Sequence, residues 1–510
     1  MKLFSNSFLT SLFSYCLLLS TLLLISCNAL EEEVSVPDYH PEFAVPIIQD
    51  ASINIPDIWQ SNDPNQSLIV EPDGRMIFQY KSPKTTLLAI ELLGGTLTYI
   101  LTETISESGT KIPLIPSNLG IDLEIQEALI KSGQLNVTLL TNNNFGDTLD
   151  IRLTVPELTL DGMPLEVTTN ATLTGSINLD ISGYTLSPDK NEITVNYTAT
   201  NSTGVPQELR SLTVFFVPRI QVLKGFLGRQ TQVIPPAIIP IDLFDDRFLN
   251  GTIQFAEPKI SAQMENAFGV PVQSQIDILR AHRANGLILP INATAIDNQV
   301  INYPSIEEIG ESKNTELFLD HTNSNLPQVF SEAVTAVEYG LTAIINPEND
   351  PNIVSFVTDT SFFTVQVFVE VPVVGSANNF VVEDTYEVDF TAIEEEVQEG
   401  EFKLIVENEV PVEANVQFYF LDTNGRILDS LFQERATLVE GAPVDSEGNT
   451  TGSTETTSFI PVTAEQLNRI RRADALQVHA LFKTSGANRQ AVPILADQEI
   501  RFRLGLKFRI

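Results

Sequence analysis

The chain has 510 residues, too many for one ordinary core, so roughly two to four domains are expected. An apolar share of 43% with 19% charged residues is that of a folded protein and excludes global disorder. With 66 acidic against 29 basic side chains the net charge is −37, which excludes broad electrostatic binding to nucleic acid or anionic headgroups.

The chain opens with Lys2 and an apolar run over residues 8–25, ending in Leu24-Ile25-Ser26-Cys27. A short apolar run that abuts small residues reads as a secretory signal; an uncleaved transmembrane anchor is the competing reading. The terminal tetrad resembles the bacterial lipobox. That resemblance implies a signal peptide over residues 1–26, cleavage between Ser26 and Cys27, and palmitate-type acylation of Cys27. The membrane is then a partner through this N-terminal anchor, at the cell outer membrane, with the surface or periplasmic side left open. Cys16 lies in the signal, so Cys27 is the one cysteine left and an internal disulfide or thiolate metal cluster is excluded. The run Glu31-Glu32-Glu33 resembles the export tag of surface-exposed lipoproteins in Bacteroidota; a solvated charged tether is the alternative.

Residues 27–46 read as an extended tether, because Pro37, Pro41 and Pro46 oppose helix. Residues 70–80 place Asp73-Gly74 between two apolar runs, the pattern of a hairpin. Together with Phe43-Ala44-Val45-Pro46, this region resembles the N-terminal part of uncharacterised Bacteroidota lipoproteins, a resemblance that implies no activity. Residues 87–101 are apolar without a period, and Gly94-Gly95 favours strand, turn and strand.

Four stretches then alternate apolar and polar residues on both sides of an Asn-containing turn. Their turns hold Asn142-Asn143-Asn144, Asn201, Asn266 and Asn408. The clearest runs through Met264-Glu265-Asn266-Ala267-Phe268-Gly269-Val270-Pro271, whose Asn and Gly suit left-handed φ in a tight hairpin. Positions 143, 201, 266 and 408 are spaced by 58, 65 and 142 residues, too irregular for a solenoid or propeller and suited to separate sandwich modules. This alternation resembles the β-sandwich of late-embryogenesis/water-stress-type domains and, more loosely, the long sheets of tubular lipid-binding proteins.

Residues 233–240 carry Pro235, Pro236 and Pro240 and read as an extended connector or edge segment, followed by a boundary near residues 248–251. A strong strand covers 362–374, and 440–458 reads as an exposed loop. Thr463 with Gln466 forms a capping box for a short helix near 464–474, and a strand follows over 476–482. At the end, apolar Ile500, Phe502, Leu504, Leu506 and Phe508 alternate with Arg501, Arg503, Lys507 and Arg509, giving a strand with one buried face. Its basic side chains form a candidate partner- or phosphate-binding face, unless the protein's own acids pair with them.

The expected fold is therefore all-β: antiparallel β-sandwich modules with long hairpins over residues 47–250 and 251–510, and one short helix. The chain has no Gly-x-Ser-x-Gly, phosphate loop or His-Glu-x-x-His. His40, His282, His321 and His479 are dispersed, and Asp320-His321 would point to opposite strand faces. Asp422-Thr423-Asn424-Gly425 and Asp445-Ser446-Glu447-Gly448-Asn449 read as turns, not calcium loops. No catalytic residue, metal or cofactor is expected, so the chain reads as a non-enzymatic envelope scaffold with protein partners. Binding of lipid between sheets, with Val365, Val367 and Val369 lining a groove, is the first alternative. Glycan capture beside an outer-membrane transporter is the second.

Overall fold

The computed structural model describes residues 42–510 except 60, 62, 90–99, 116–121, 143–145, 242–247, 389, 391–398, 433–436, 485–490 and 510. The architecture is all-β and antiparallel, in five sheets of four, eleven, five, seven and six strands. No helix among the described residues is long and apolar enough to cross a membrane.

The strand pairings repeat one topology three times. In the second copy, Lys259–Asn266 passes to Val272–Arg283, which forms a hairpin with Ile288–Pro290. Lys313–Leu319 then returns beside the first of these strands, Val334–Ile345 beside the second, and Phe362–Pro372 beside the first again. The third copy does the same with Glu399–Asn408, Val412–Leu421, Ile427–Ser430, Thr454–Thr463, Ala475–Thr484 and Ile500–Arg509. The first copy uses Leu123–Thr141, Leu149–Leu160, Met163–Ala171, Thr174–Asp180, Glu192–Thr200 and Leu209–Leu227. The facing sides of the strands are buried in three apolar clusters: one holds the third copy, one most of the second, and that of the first runs on into Met264, Val270, Leu341 and Val365 of the second. In the third, Phe402, Leu404, Phe502, Leu504 and Leu506 meet Ala414, Phe418, Phe420 and Val478.

The N-terminal segment serves all three copies. Glu42–Ile53 pairs with the last strand of the third, Met76–Lys81 with that of the second, and Leu101–Ile105 with that of the first. The sheets thus draw on both sides of residue 250. The tether ends sooner than expected, since residues 42–46 belong to a strand. Pro46 is tolerated there because Glu42–Ile53 stands at the edge of its sheet, and the register shifts just after it.

The Asn-centred stretches divide into two kinds. Asn201 makes the expected tight turn: Thr200 faces Pro206, Gly204 has φ +78°, and Asn201 Oδ1 accepts from the N–H of Thr203 and Val205. Residues 266–272 and 408–412 are not hairpins. They carry the chain from one sheet of a sandwich to the facing one, from the six- to the five-stranded sheet and from the four- to the seven-stranded sheet. Neither Asn266 nor Gly269 has positive φ. Glycine is required at 269 for space, because a Cβ there would lie 2.0 Å from the Phe356 ring. The earliest stretch has its turn residues 143–145 outside the described set, and its flanking strands pair with other strands.

Local signals fare better. Val70 faces Met76 across the Asp73-Gly74 turn, with Gly74 at φ +87°. Gln230–Pro240 is an edge strand whose register shifts across Pro235 and Pro236. The helix Ala464–Ile470 carries the Thr463–Gln466 capping box and buries Leu467 and Ile470. Two one-turn helices, Ile55–Ile58 and Leu326–Val329, were not anticipated.

Candidate functional site

Ser26 and Cys27 lie outside the described residues. The C-terminal strand has the expected alternation, with Phe502, Leu504, Leu506 and Phe508 buried and Arg501, Arg503 and Lys507 exposed. The register sets acids beside two of its cations: Arg501 faces Glu407 and Lys507 faces Glu401. Arg503 instead faces Ile405. Arg501 also donates through Nε to Glu499 Oε1 at 2.6 Å, and this guanidinium holds the Glu499 carboxyl below the usual range. Positive and negative charge therefore alternate across this face.

Among the described residues the histidines do not converge. Asp320 accepts from the Thr322 N–H and hydroxyl, which lower its pKa and make it a turn residue. His282 Nε2 lies 2.8 Å from Glu338 Oε2, and Arg280 grips the same carboxylate with Nε and an Nη, each at 2.8 Å. Hydrogen bonds from Arg280, then from His282, draw the Glu338 carboxyl down to about 2. Asp422 and Asp445 each accept backbone N–H groups from their own turns. No group of three or more metal-ligating side chains occurs among the described residues.

The feature that does converge is an apolar cleft of about 200 Å³ where the second and third sandwiches meet. Its floor belongs to the seven-stranded sheet, where Phe380, Val382 and Asp384 face Phe482, Ala480 and Val478. Ile253, Phe255, Phe78 and Ile500 contribute further wall. Gly375 lets the strands close on this side, since a Cβ there would lie 2.3 Å from the Gln254 carbonyl oxygen.

Trp59, the only tryptophan, completes the lining. It is held by the segment that crosses from the third sandwich to the second. Asn54 caps the one-turn helix Ile55–Ile58 by accepting from the Asp57 N–H at 2.7 Å, Pro56 supplies a helical φ, and the Trp59 N–H closes on the Ile55 carbonyl at 2.9 Å. The indole then packs on Phe78, with ring centroids 5.2 Å apart.

Most polar groups at the cleft are already occupied. Asn54 Nδ2 donates to Asp57, Thr484 Oγ1 accepts from the Ala377 N–H, Ser61 Oγ donates to Gln66 Oε1, and Gln498 bonds Thr450 and the Leu495 N–H. Such a site offers apolar surface and shape with little hydrogen bonding.

The strand expected to line a groove does not do so. Its expected inward face, Val365, Val367 and Val369, is buried in the cores, and of the expected 362–374 span only the end, Val373 and Val374, past the observed strand Phe362–Pro372, reaches the cleft. The cleft was not read from the sequence. One signal was available: Asp384 continues the alternation of Phe380 and Val382, an acid where the period calls for an apolar residue.

No protein-family model matches the chain, and no curated protein matches it. Among solved structures, a protein of Parabacteroides distasonis described as secreted aligns over 92% of this chain and 99% of its own, at 12% identity and a TM-score of 0.29. A structure of infectious bursal disease virus aligns over 88% and 81% at 8% identity and a TM-score of 0.14. Likenesses at these TM-scores carry no argument about fold or function.

Proposed function

We propose that the chain is a lipid-anchored protein of the cell envelope that binds an apolar small molecule in the cleft beside Trp59, without chemistry of its own. The cleft carries this reading: it is lined by aromatic and aliphatic side chains, and its polar groups are mostly engaged internally. Apolar surface removed from water there contributes about 25 cal/mol per Å², or about 0.8 kcal/mol per buried methylene. The anchor rests on Leu24-Ile25-Ser26-Cys27.

Two measurements test it. Solvent extraction and mass spectrometry of the chain purified from membranes should find a stoichiometric apolar compound. The same compound should be missing from Ala480→Phe, which fills the cleft. A wild-type protein that carries nothing above the level of the filled variant would refute binding. Separately, labelled fatty acid should enter the wild type and not Cys27→Ala.

A scaffold role is a second reading, favoured by the edge strand Thr454–Thr463. There Phe459 is 60% exposed, with the Lys403 ammonium 5.8 Å from its ring centroid. Loss of a crosslinked protein partner on Phe459→Ser is its test.

A further inference from the structure

We infer that the cleft sorts ligands by charge, admitting apolar molecules with a neutral or cationic head and rejecting those that end in a carboxylate or phosphate. This selectivity rests on the binding reading above and adds to it the chemical class of the ligand.

The argument starts from Asp384. Among the described residues that line the cleft, it is the only ionisable side chain. It is half-buried on the apolar face of its strand, in line with Phe380 and Val382 and opposite Val478. Its carboxylate accepts from the Thr385 N–H at 2.9 Å and interacts with the neighbouring Tyr386 hydroxyl, two neutral partners, and no ion pair reaches it among the described residues. A negative charge on an otherwise apolar floor is screened less than one on the open surface.

The remaining polar groups offer an anionic head no positive charge. Arg and Lys are absent from the described lining. Asn54, Ser61, Thr484 and Gln498 use their side chains in bonds within the protein. The chain as a whole carries a net charge of −37, so the long-range field opposes an approaching anion as well. A hydroxyl or ammonium head meets neither obstacle, and the ammonium gains attraction from Asp384.

The sole tryptophan makes the test direct. The full chain, held in an uncharged amphipathic polymer, is titrated with octan-1-ol, octylammonium and octanoate while Trp59 emission is followed. Octanol and octylammonium should shift the emission to the blue, and octanoate should bind at least about tenfold more weakly than octanol, as expected for like charges a few ångströms apart in a partly dry site. Asp384→Asn should bring octanoate to within about twofold of octanol. Asp384→Ser serves if the amide does not fold, and the octylammonium-to-octanoate ratio of the wild type needs no variant.

Octanoate binding as tightly as octanol to the wild type would overturn the selectivity and leave apolar binding intact. Discrimination that survives in Asp384→Asn would overturn the role of Asp384. Emission unmoved by all three probes would overturn both the selectivity and the binding reading.

Discussion

Asn266 and Asn408, 142 residues apart, make the same turn at the same place in two sandwiches. Both are fully buried. Asn266 Oδ1 accepts from the Phe268 N–H and Asn408 Oδ1 from the Val410 N–H, each at 2.9 Å. Their Nδ2 groups donate to carbonyls further on, of Asn302 in one copy and of Val412 and Glu440 in the other. The chain leaves a sheet at this point, and the amide replaces the ladder partners it gives up.

Replacing either asparagine with alanine leaves a buried N–H without its partner, and Asn408→Ala also takes the donor from the buried Val412 carbonyl. Each change should destabilise by about 1–3 kcal/mol. Asn201→Ala, in an exposed hairpin turn, should cost less. Denaturant unfolding of the three variants checks the order, and equal losses at all three sites would contradict the crossover role.

Gly269→Ala probes the same crossover through space. Its Cβ would lie 2.0 Å from the Phe356 ring, so the segment or the ring must move. Overpacking of this kind costs about 1–3 kcal/mol. Gly204→Ala has nothing within 4 Å of the added methyl but sits at φ +78°, so its penalty comes from backbone strain alone. Phe356→Ala should recover part of the first loss and none of the second in a double-mutant cycle.

Glu338 gives a stability term with a defined pH window. Its folded pKa, about 2, lies below the reference value of 4.5 because Arg280 and His282 hydrogen-bond its charged form. The contribution is therefore fully present above about pH 4.5 and is lost as pH falls toward 2. Wild type and Glu338→Gln should differ in unfolding midpoint at neutral pH and converge in acid. A gap that persists at pH 2 would mean that the pair acts through packing.

Asn54→Ala should loosen the one-turn helix that presents Trp59. Loss of such a cap costs about 1 kcal/mol locally. The expected readout is a red-shifted Trp59 emission and weaker octanol binding, with the cores unaffected in hydrogen exchange. An unchanged emission spectrum would show that packing on Phe78 suffices to place the indole.

Short-range features of this fold were legible in the chain because a few neighbouring residues decide them. Phe502, Leu504, Leu506 and Phe508 declare a buried strand face by alternation alone. Asp73-Gly74 and Asp422 to Gly425 close their turns with their own side chains and a positive-φ glycine, and Thr463 with Gln466 caps its helix locally. Strand pairing was not legible. An Asn, a Gly and a Pro between two alternating runs serve a hairpin at Asn201 and a sheet-to-sheet crossover at Asn266, and the difference lies in which distant partner waits. For Met264 these are Val365 and Thr315; for Val45 the partner is Leu506, at the other end of the chain. The cleft depends still more on tertiary structure. It exists because faces contributed by Trp59, Phe255 and Phe482 do not quite fill the space between two sandwiches, and no local pattern records a mismatch between surfaces so far apart in sequence.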